Sequence, residues 1–394
     1  MKLAILALAS AYSTTSAVVV SQRQSFRVKG RPEGFGSGTT GGGSAACAIP
    51  ASVAQLKTWL TDSVARCIVL DREFNFIGSE GTTTETGCRP ASNKCPGNGG
   101  QDAINNANWC TNGSAGPGAT NITVTYDTAG IQGIDLGSNK SLIGVGSAGV
   151  LRGKGLRIAH GAQNIIIQNI HITDINPEYI WGGDAITLDG ADLVWIDHVK
   201  ISLIGRQMFV SGYGSAQRVT ISNTEFDGRT SWSATCDGHH YWTMLLLGSA
   251  DLITLKANYL HHTSGRSPKV GGNTLLHAVN NYFANNSGYA FYNCPGGMVV
   301  AEGNTFENVV TPLARNDGTF FSVSSSSTTT TTTADTKACL ASLGHVCQPN
   351  LLINSGGSFS ANDTHFLVNF AGHNVASASI ASTAPATQAG VGQI

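Results

Sequence analysis

The sequence predicts an all-β chain, a single-stranded right-handed parallel β-helix with an N-terminal capping helix. Three observations predict it. First, a short β-branched phrase ending in Asn or Asp recurs along the middle of the chain. It reads N-I-I-I-Q-N-I from Asn164 and D-L-V-W-I-D-H-V from Asp192, then R-V-T-I-S-N from Arg218 and D-L-I-T-L-K-A-N from Asp251. It closes with N-T-L-L-H-A-V-N-N from Asn273 and G-M-V-V-A-E-G-N from Gly297. Second, taking Asn169, Asp197, Asn223, Asn258, Asn281 and Asn304 as equivalent gives steps of about 23 to 35 residues, the length of one supersecondary repeat. That is too much chain for tight hairpins, so like strands must stack in parallel. Third, Asn tolerates a left-handed bend, and stacked amides can bond from rung to rung. A β-sandwich with coincidental spacing is the competing architecture.

The elements follow in order. Residues 1–17 open with Met1-Lys2, an apolar stretch and small residues suited to cleavage, which reads as a secretory signal rather than an anchor. No later stretch approaches the roughly 20 apolar residues that span a bilayer. The expected mature product is a single extracellular unit over 18–394. Ser52 is placed as an N-cap, and Val53, Leu56, Trp59 and Leu60 share one helical face, predicting the helix that covers the first rung. Strand phrases then run to Glu307, and the S-V-S-S-S-S-T-T-T-T-T-T run at 322–333 predicts a loop.

Composition excludes several classes. Charged residues are 12% of the chain, against about 25% in an ordinary domain, and Gly numbers 48, as stacked turns require. A net charge of −1 argues against nucleic acid and anionic membrane as partners. Gly36-Ser-Gly38-Thr-Thr-Gly41 and Gly144-Val-Gly146-Ser-Ala-Gly149 match a dinucleotide pattern, but the first lacks a preceding strand and the second opens no helix. Both read as turns. His239-His240 and His261-His262 have no Cys or carboxylate partner at ligand spacing, so no metal is expected there. Five sequons, beginning at Asn112, Asn121, Asn139, Asn285 and Asn362, fit a secreted glycoprotein. Nine cysteines leave at least one unpaired, and Cys47, Cys67 and Cys294 read as singles, with Cys67 in the apolar run C-I-V-L.

The phrases G-G-D-A-I-T, V-W-I-D-H-V, V-T-I-S-N, G-H-H-Y-W, S-G-R-S-P-K-V and H-A-V-N-N-Y-F together resemble the fungal pectin lyases, over nearly the whole mature chain. The wider family includes calcium-dependent pectate lyases on the same fold. Two substitutions separate the branches. Arg206, in I-G-R-Q, stands where pectate lyases place an acidic calcium ligand, and a guanidinium cannot serve an ion that demands oxygen ligands. Gly271 replaces the second Arg of R-x-P-x-x-R, leaving Lys269 as the remaining cation after Arg266. The resemblance therefore implies a neutral, methyl-esterified galacturonan as substrate, cleaved without a metal or other cofactor by an enzyme expected to be a monomer.

Cleavage by β-elimination removes the proton on C5, which is α to the C6 carbonyl, and expels the O4 oxygen. A methyl ester makes that proton more acidic than a carboxylate does, yet the developing enolate still needs preorganised positive charge. By resemblance Arg266 abstracts the proton, Lys269 or Arg206 stabilises the enolate, and Asp184 orients Arg206. A guanidinium must give up its own proton before it can accept another, which calls for neighbouring cations such as Arg206 and Lys269 or for proton loss on substrate binding. An ion pair of Arg206 with Asp184 that only ties coils together is the bland alternative, and for Arg266 it is a surface cation on a turn. Trp109, Trp181, Tyr241 and Trp242 are expected to line a cleft and stack on sugar faces, with core packing as the alternative. Trp195 is assigned to packing. Ala91 and Leu245 stand where some relatives carry aromatics. The resemblance also implies the pairs Cys88–Cys110, Cys95–Cys236 and Cys339–Cys347, the first two pinning an excursion loop over the cleft.

Competing functions are a calcium-dependent pectate lyase and a non-catalytic β-helical wall-binding protein. A polygalacturonase on the same fold would need paired carboxylates in N-T-D, D-D and R-I-K signatures, which the sequence lacks.

Overall fold

The computed structural model describes residues 26–95, 99–323, 333–357, 359 and 361–394. The leader over 1–17 and residues 324–332 of the Ser/Thr-rich run lie outside the described residues. The C-terminal end of that run begins a helix, Thr333–Leu343, instead of continuing a loop.

The recurring phrases form one face of a right-handed parallel coil. Its strands pair in the order Arg66–Leu70, Lys140–Gly144, Gln163–Gln168, Asp192–Asp197, Gln217–Ser222, Asp251–Lys256, Thr274–Val279, Gly297–Glu302 and Thr319–Ser322. A second face runs from Glu73–Asn75 to Leu351–Ile353, and a third from Ile134–Asp135 to Lys269–Val270. The 12-residue strands Tyr282–Asn293 and Thr305–Asn316 turn the corner between the second and third faces. Alternate residues of each strand point inward, so like side chains stack. Ile165, Val194, Val219, Ile253, Leu276, Val299 and Phe320 form one such inward row, all fully buried.

The register corrects the alignment of the repeats by one residue. A left-handed bend after the first-face strands from Gln163–Gln168 to Thr274–Val279 is held by Asn169, His198, Asn223, Ala257 and Asn280, with φ between 46° and 57°. Asp197 precedes that bend and Asn258, Asn281 and Asn304 follow it. These last three point inward and form the amide ladder, which Asn350 extends. In it the Asn258 Nδ2 donates to Asn281 Oδ1, Asn281 to Asn304, and Asn304 to Asn350, at 2.8 to 2.9 Å. Each Nδ2 also reaches a strand carbonyl, those of Ile221, Leu255 and Ala278 at 2.9 Å, so the side-chain N–H groups of these three Asn are all paired. Two jobs given to one Asn in the sequence are therefore done by neighbouring residues.

Both ends of the stack are covered. Ser52 Oγ accepts the Gln55 N–H at 3.2 Å and starts the helix Val53–Thr61, which buries Leu56 and Leu60 against the first rung. Lys140, fully buried below it, donates to Asp62 Oδ1 and to the carbonyls of Asp62 and Val64. At the other end the short strand Ala361–Asn362 pairs antiparallel with Thr319–Ser322, and Phe359 packs against Phe306 and Phe320.

Cys88–Cys110, Cys95–Cys236 and Cys339–Cys347 are bonded as the resemblance implies. The reading of Cys47 and Cys67 as singles is overturned, since they form a fourth disulfide. Cys47–Ala48 adds a short strand to the edge of the first face with Cys47 opposite Cys67, a pairing that sequence spacing does not reveal. Cys294 is free and half-buried. Trp195 is buried, its Nε1 donating to Ser222 Oγ at 2.9 Å.

Candidate active site

The third face carries the cleft. Outward positions of its successive coils bring Thr187, Val210, Leu245, Lys269, Tyr292 and Arg315 into one row. Beside the row, Asp184, Arg206, Trp242 and Arg266 precede the strands Ile186–Asp189, Phe209–Ser211, Met244–Leu246 and Lys269–Val270. One wall is a four-stranded sheet of Tyr179–Ile180, Asp102–Ala103, Thr82–Arg89 and Thr120–Asp127. Its loops are tied down by Cys88–Cys110 and Cys95–Cys236.

Arg206 lies with its guanidinium carbon 3.6 Å from the centre of the Trp181 ring. Asp184 Oδ2 is 3.7 Å from Arg206 Nη1, while Oδ1 accepts the Gln207 N–H at 2.8 Å. Burial pushes the Asp184 carboxyl up despite the attraction of Arg206 and the Gln207 N–H. Burial also pushes the Arg206 guanidinium down, against Asp184 and helped by the charge of Arg266. Both partners thus shift toward neutrality, because a pair this loose gains less than its desolvation costs.

Arg266 sits at a left-handed backbone position, φ 48°. Its guanidinium is 4.6 Å from the Trp242 ring and 5.5 Å from Tyr241, and its buried Nε has no partner. Lys269 Nζ lies 5.2 Å from the Tyr292 ring, which Arg315 approaches to 5.6 Å.

Trp109, Tyr241 and Trp242 line a pocket of about 280 Å³ together with Pro90, Asn93 and Ile180. Trp181 differs from its three companions: it lies beneath Arg206 and outside that lining.

Three residues that sequence reasoning missed hold this arrangement. Gln101, buried, donates from Nε2 to the carbonyls of Pro177 and Gly205 and accepts the Trp242 indole N–H on Oε1, each at 2.9 Å. Tyr289 and Tyr241 share a hydroxyl hydrogen bond of 2.8 Å, and burial followed by that bond pushes the Tyr289 phenol up. Close packing there leaves Gly265 no room for a side chain, since an added Cβ would fall 2.6 Å from the Tyr241 ring. His240 Nε2 contacts the carbonyls of Arg206 at 2.8 Å and Trp242 at 3.2 Å, and burial pushes the ring down to about 4, so it is neutral and donates.

The other histidine pair departs from expectation. His261 Nε2 is 3.2 Å from Glu225 Oε1 and its Nδ1 is 3.8 Å from Asp227 Oδ1. Its carboxylate partners come from the preceding coil and are invisible at sequence spacing. Lys200 and Arg229 already neutralise them.

Residues 109–393 match the family described as pectate lyase. The chain is 52% identical to pectin lyase B of Emericella nidulans, over 99% of this chain and 98% of that one. It is 54% identical to probable pectin lyase A of Aspergillus fumigatus, over 99% of each. The chain belongs to the pectin lyases of the pectate lyase family. A probable pectin lyase F-2 of Aspergillus terreus is longer, matching at 57% identity over 86% of this chain and 68% of its own length. Among solved structures, a pectate lyase from Bacillus sp. N165 in complex with trigalacturonate superposes with a TM-score of 0.58 at 20% identity, covering 92% of this chain and 99% of that one. At that identity the likeness is one of fold, and that fold is the right-handed parallel β-helix.

Proposed function

We propose that this protein is a pectin lyase that cleaves methyl-esterified α-1,4-galacturonan by β-elimination, without calcium. Arg266, having first released a guanidinium proton to solvent, takes the C5 proton; the C5–H electrons form the C4=C5 double bond, and O4 leaves with its bonding pair and is protonated from solvent. Lys269 or Arg206 stabilises the enolate that develops on the C6 carbonyl, and Asp184 orients Arg206. Trp109, Tyr241 and Trp242 stack on neutral sugar faces.

The observation that carries the reading is the seating of the cations. Arg206 and Arg266 both lie on indole rings, and among the described residues the only carboxylate paired with Arg206 is Asp184, whose other oxygen is held by a backbone N–H. A cleft of aromatic surface and constrained guanidinium groups suits an uncharged ester better than a polyanion bridged by calcium. Action within the polymer, as a monomer outside the cell, completes the proposal. No helix among the described residues is long and apolar enough to cross a membrane. Ultraviolet absorbance of unsaturated products tests it, comparing highly methylated pectin with polygalacturonate, each with and without chelator. Product from methylated pectin that survives chelation is expected. Complete loss with chelator, restored by Ca²⁺, would show the calcium-dependent mechanism instead.

A further inference from the structure

Away from the cleft, the C-terminal segment is laid across the outer side of the first face. There His277 of Thr274–Val279 and Glu302 of Gly297–Glu302 meet His345, from the loop that Cys339–Cys347 closes. Nε2 of His277 and Nε2 of His345 each lie 2.8 Å from the same oxygen, Glu302 Oε1. The three donor atoms all fall within 4.8 Å of one another. Glu302 Oε2 accepts the Gln348 N–H at 2.9 Å, which fixes the carboxylate and turns a single oxygen toward the two rings.

The charge balance separates this cluster from the one around His261. Glu225 and Asp227 are neutralised by Lys200, whose Nζ bridges them at 2.8 and 3.1 Å, and by Arg229, which pairs with Asp227. Glu302 is fully buried, and among the described residues no Lys or Arg pairs with it. The cation that a buried carboxylate needs beside it is then either a protonated imidazole or a bound metal ion. Two imidazoles and one carboxylate oxygen, delivered by three separate chain segments, make a donor set suited to zinc. A single oxygen does not suit calcium, which takes six to eight. Phe370 lies edge-on to His277 at 5.9 Å and packs in one buried apolar cluster with Val300, Cys339 and Leu343. The His345 side chain is 26% exposed and leaves one side open to ions and to a water as fourth ligand. The buried Nδ1 of His277 has no partner wherever the ring proton sits, and does not discriminate.

We propose that His277, Glu302 and His345 bind a zinc-class divalent ion that fastens the C-terminal segment to the coils. Ligand distances of about 2.0 to 2.1 Å in a tetrahedron set the donors roughly 3.3 Å apart, so the ion opens the cluster by about half an ångström. Because the cluster lies on the first face and the cleft on the third, removing the ion affects stability and not the chemistry on pectin.

The test uses the purified full-length protein, stripped with chelator, dialysed, and titrated with Zn²⁺ against a chromophoric competitor. One equivalent bound per chain is expected, with a melting temperature that rises as zinc is added. His345→Gln keeps an N–H donor for Glu302 but loses the imidazole ligand. It is expected to fold, to turn over methylated pectin as the wild type does, and to lose both the zinc equivalent and the zinc-dependent rise in melting temperature. No uptake by the wild type, or equal uptake by His345→Gln, overturns the proposal and leaves a hydrogen-bonded latch.

Discussion

Arg206 and Arg266 place two like charges in one cleft, each stacked on an indole ring, and among the described residues only Arg206 has a carboxylate beside it. The two arginines should therefore fail differently. Arg266→Ala removes the proposed base, so initial rate on highly esterified pectin should fall by about 10² to 10⁴-fold with little change in binding of a non-cleavable oligomer. Arg206→Ala should weaken binding and turnover together, because Asp184 is then left without a counter-charge in the cleft proposed for neutral sugars. Retention of more than about a tenth of turnover by Arg266→Ala moves the base elsewhere. Gln101 acts one step removed, through Trp242. Gln101→Leu leaves the indole N–H and two backbone carbonyls without partners, a loss of about 1 to 3 kcal/mol for each group that stays buried. Its effect should appear mainly as a raised KM for methylated pectin, with tryptophan fluorescence reporting the loosened ring; an unchanged KM would reduce Gln101 to a stability role. The cations and aromatics were legible in the sequence because they sit in contiguous phrases such as S-G-R-S-P-K-V. Gln101 was not, since its partner Trp242 lies 141 residues away on a different coil.

At the scale of the element, the amide ladder carries more than the bend beside it. Asn281 accepts two N–H groups from Asn258, donates to the Leu255 carbonyl, and gives two bonds to Asn304. Asn281→Ala should cost at least about 3 kcal/mol, because several buried groups lose partners at once. Asn223→Ala, at the bend, should cost nearer 1 kcal/mol, since Ala257 already holds the same conformation one coil later. Chemical denaturation of both variants checks the contrast, and equal losses would mean that the ladder is not the stronger device. The repeat itself was plain from the β-branched phrases, but its register was not, because Asn occurs on either side of the bend and composition alone cannot say which faces inward. The Cys47–Cys67 disulfide escaped for a related reason: the two-residue strand that carries Cys47 has no apolar run to announce it.

For the whole molecule, buried histidines set an acid limit. Burial, followed by the charge of Lys200, pushes His171 down to about 4, and burial alone does the same to His240. In the unfolded chain both rings titrate near 6.5. Between about pH 6.5 and 4 the unfolded state therefore binds more protons than the folded one, so stability falls as the pH is lowered through that window. The midpoint of urea unfolding should drop steadily from pH 7 to pH 4, and His171→Asn should flatten part of the slope. A midpoint independent of pH over that range would mean that other titrations cancel these two.

The wall of the cleft leaves the stack between two strands that nevertheless pair directly. Arg66 aligns with Lys140, 74 residues on, whereas Thr254, His277 and Val300 align at intervals of 23. Closing the longer loop costs about 1 kcal/mol more in chain entropy than closing one of the shorter ones. The order in which the coils assemble is therefore expected to run against the order in which the ribosome delivers them. The later coils can close as soon as each is complete, while the helix-capped first rung must wait for a partner strand far downstream. Pulsed hydrogen exchange during refolding should protect the amides of Asp251–Lys256 and Thr274–Val279 before those of Arg66–Leu70. If that holds, the end of the molecule made first is the last to become structured, and the loop that builds the cleft wall is what delays it.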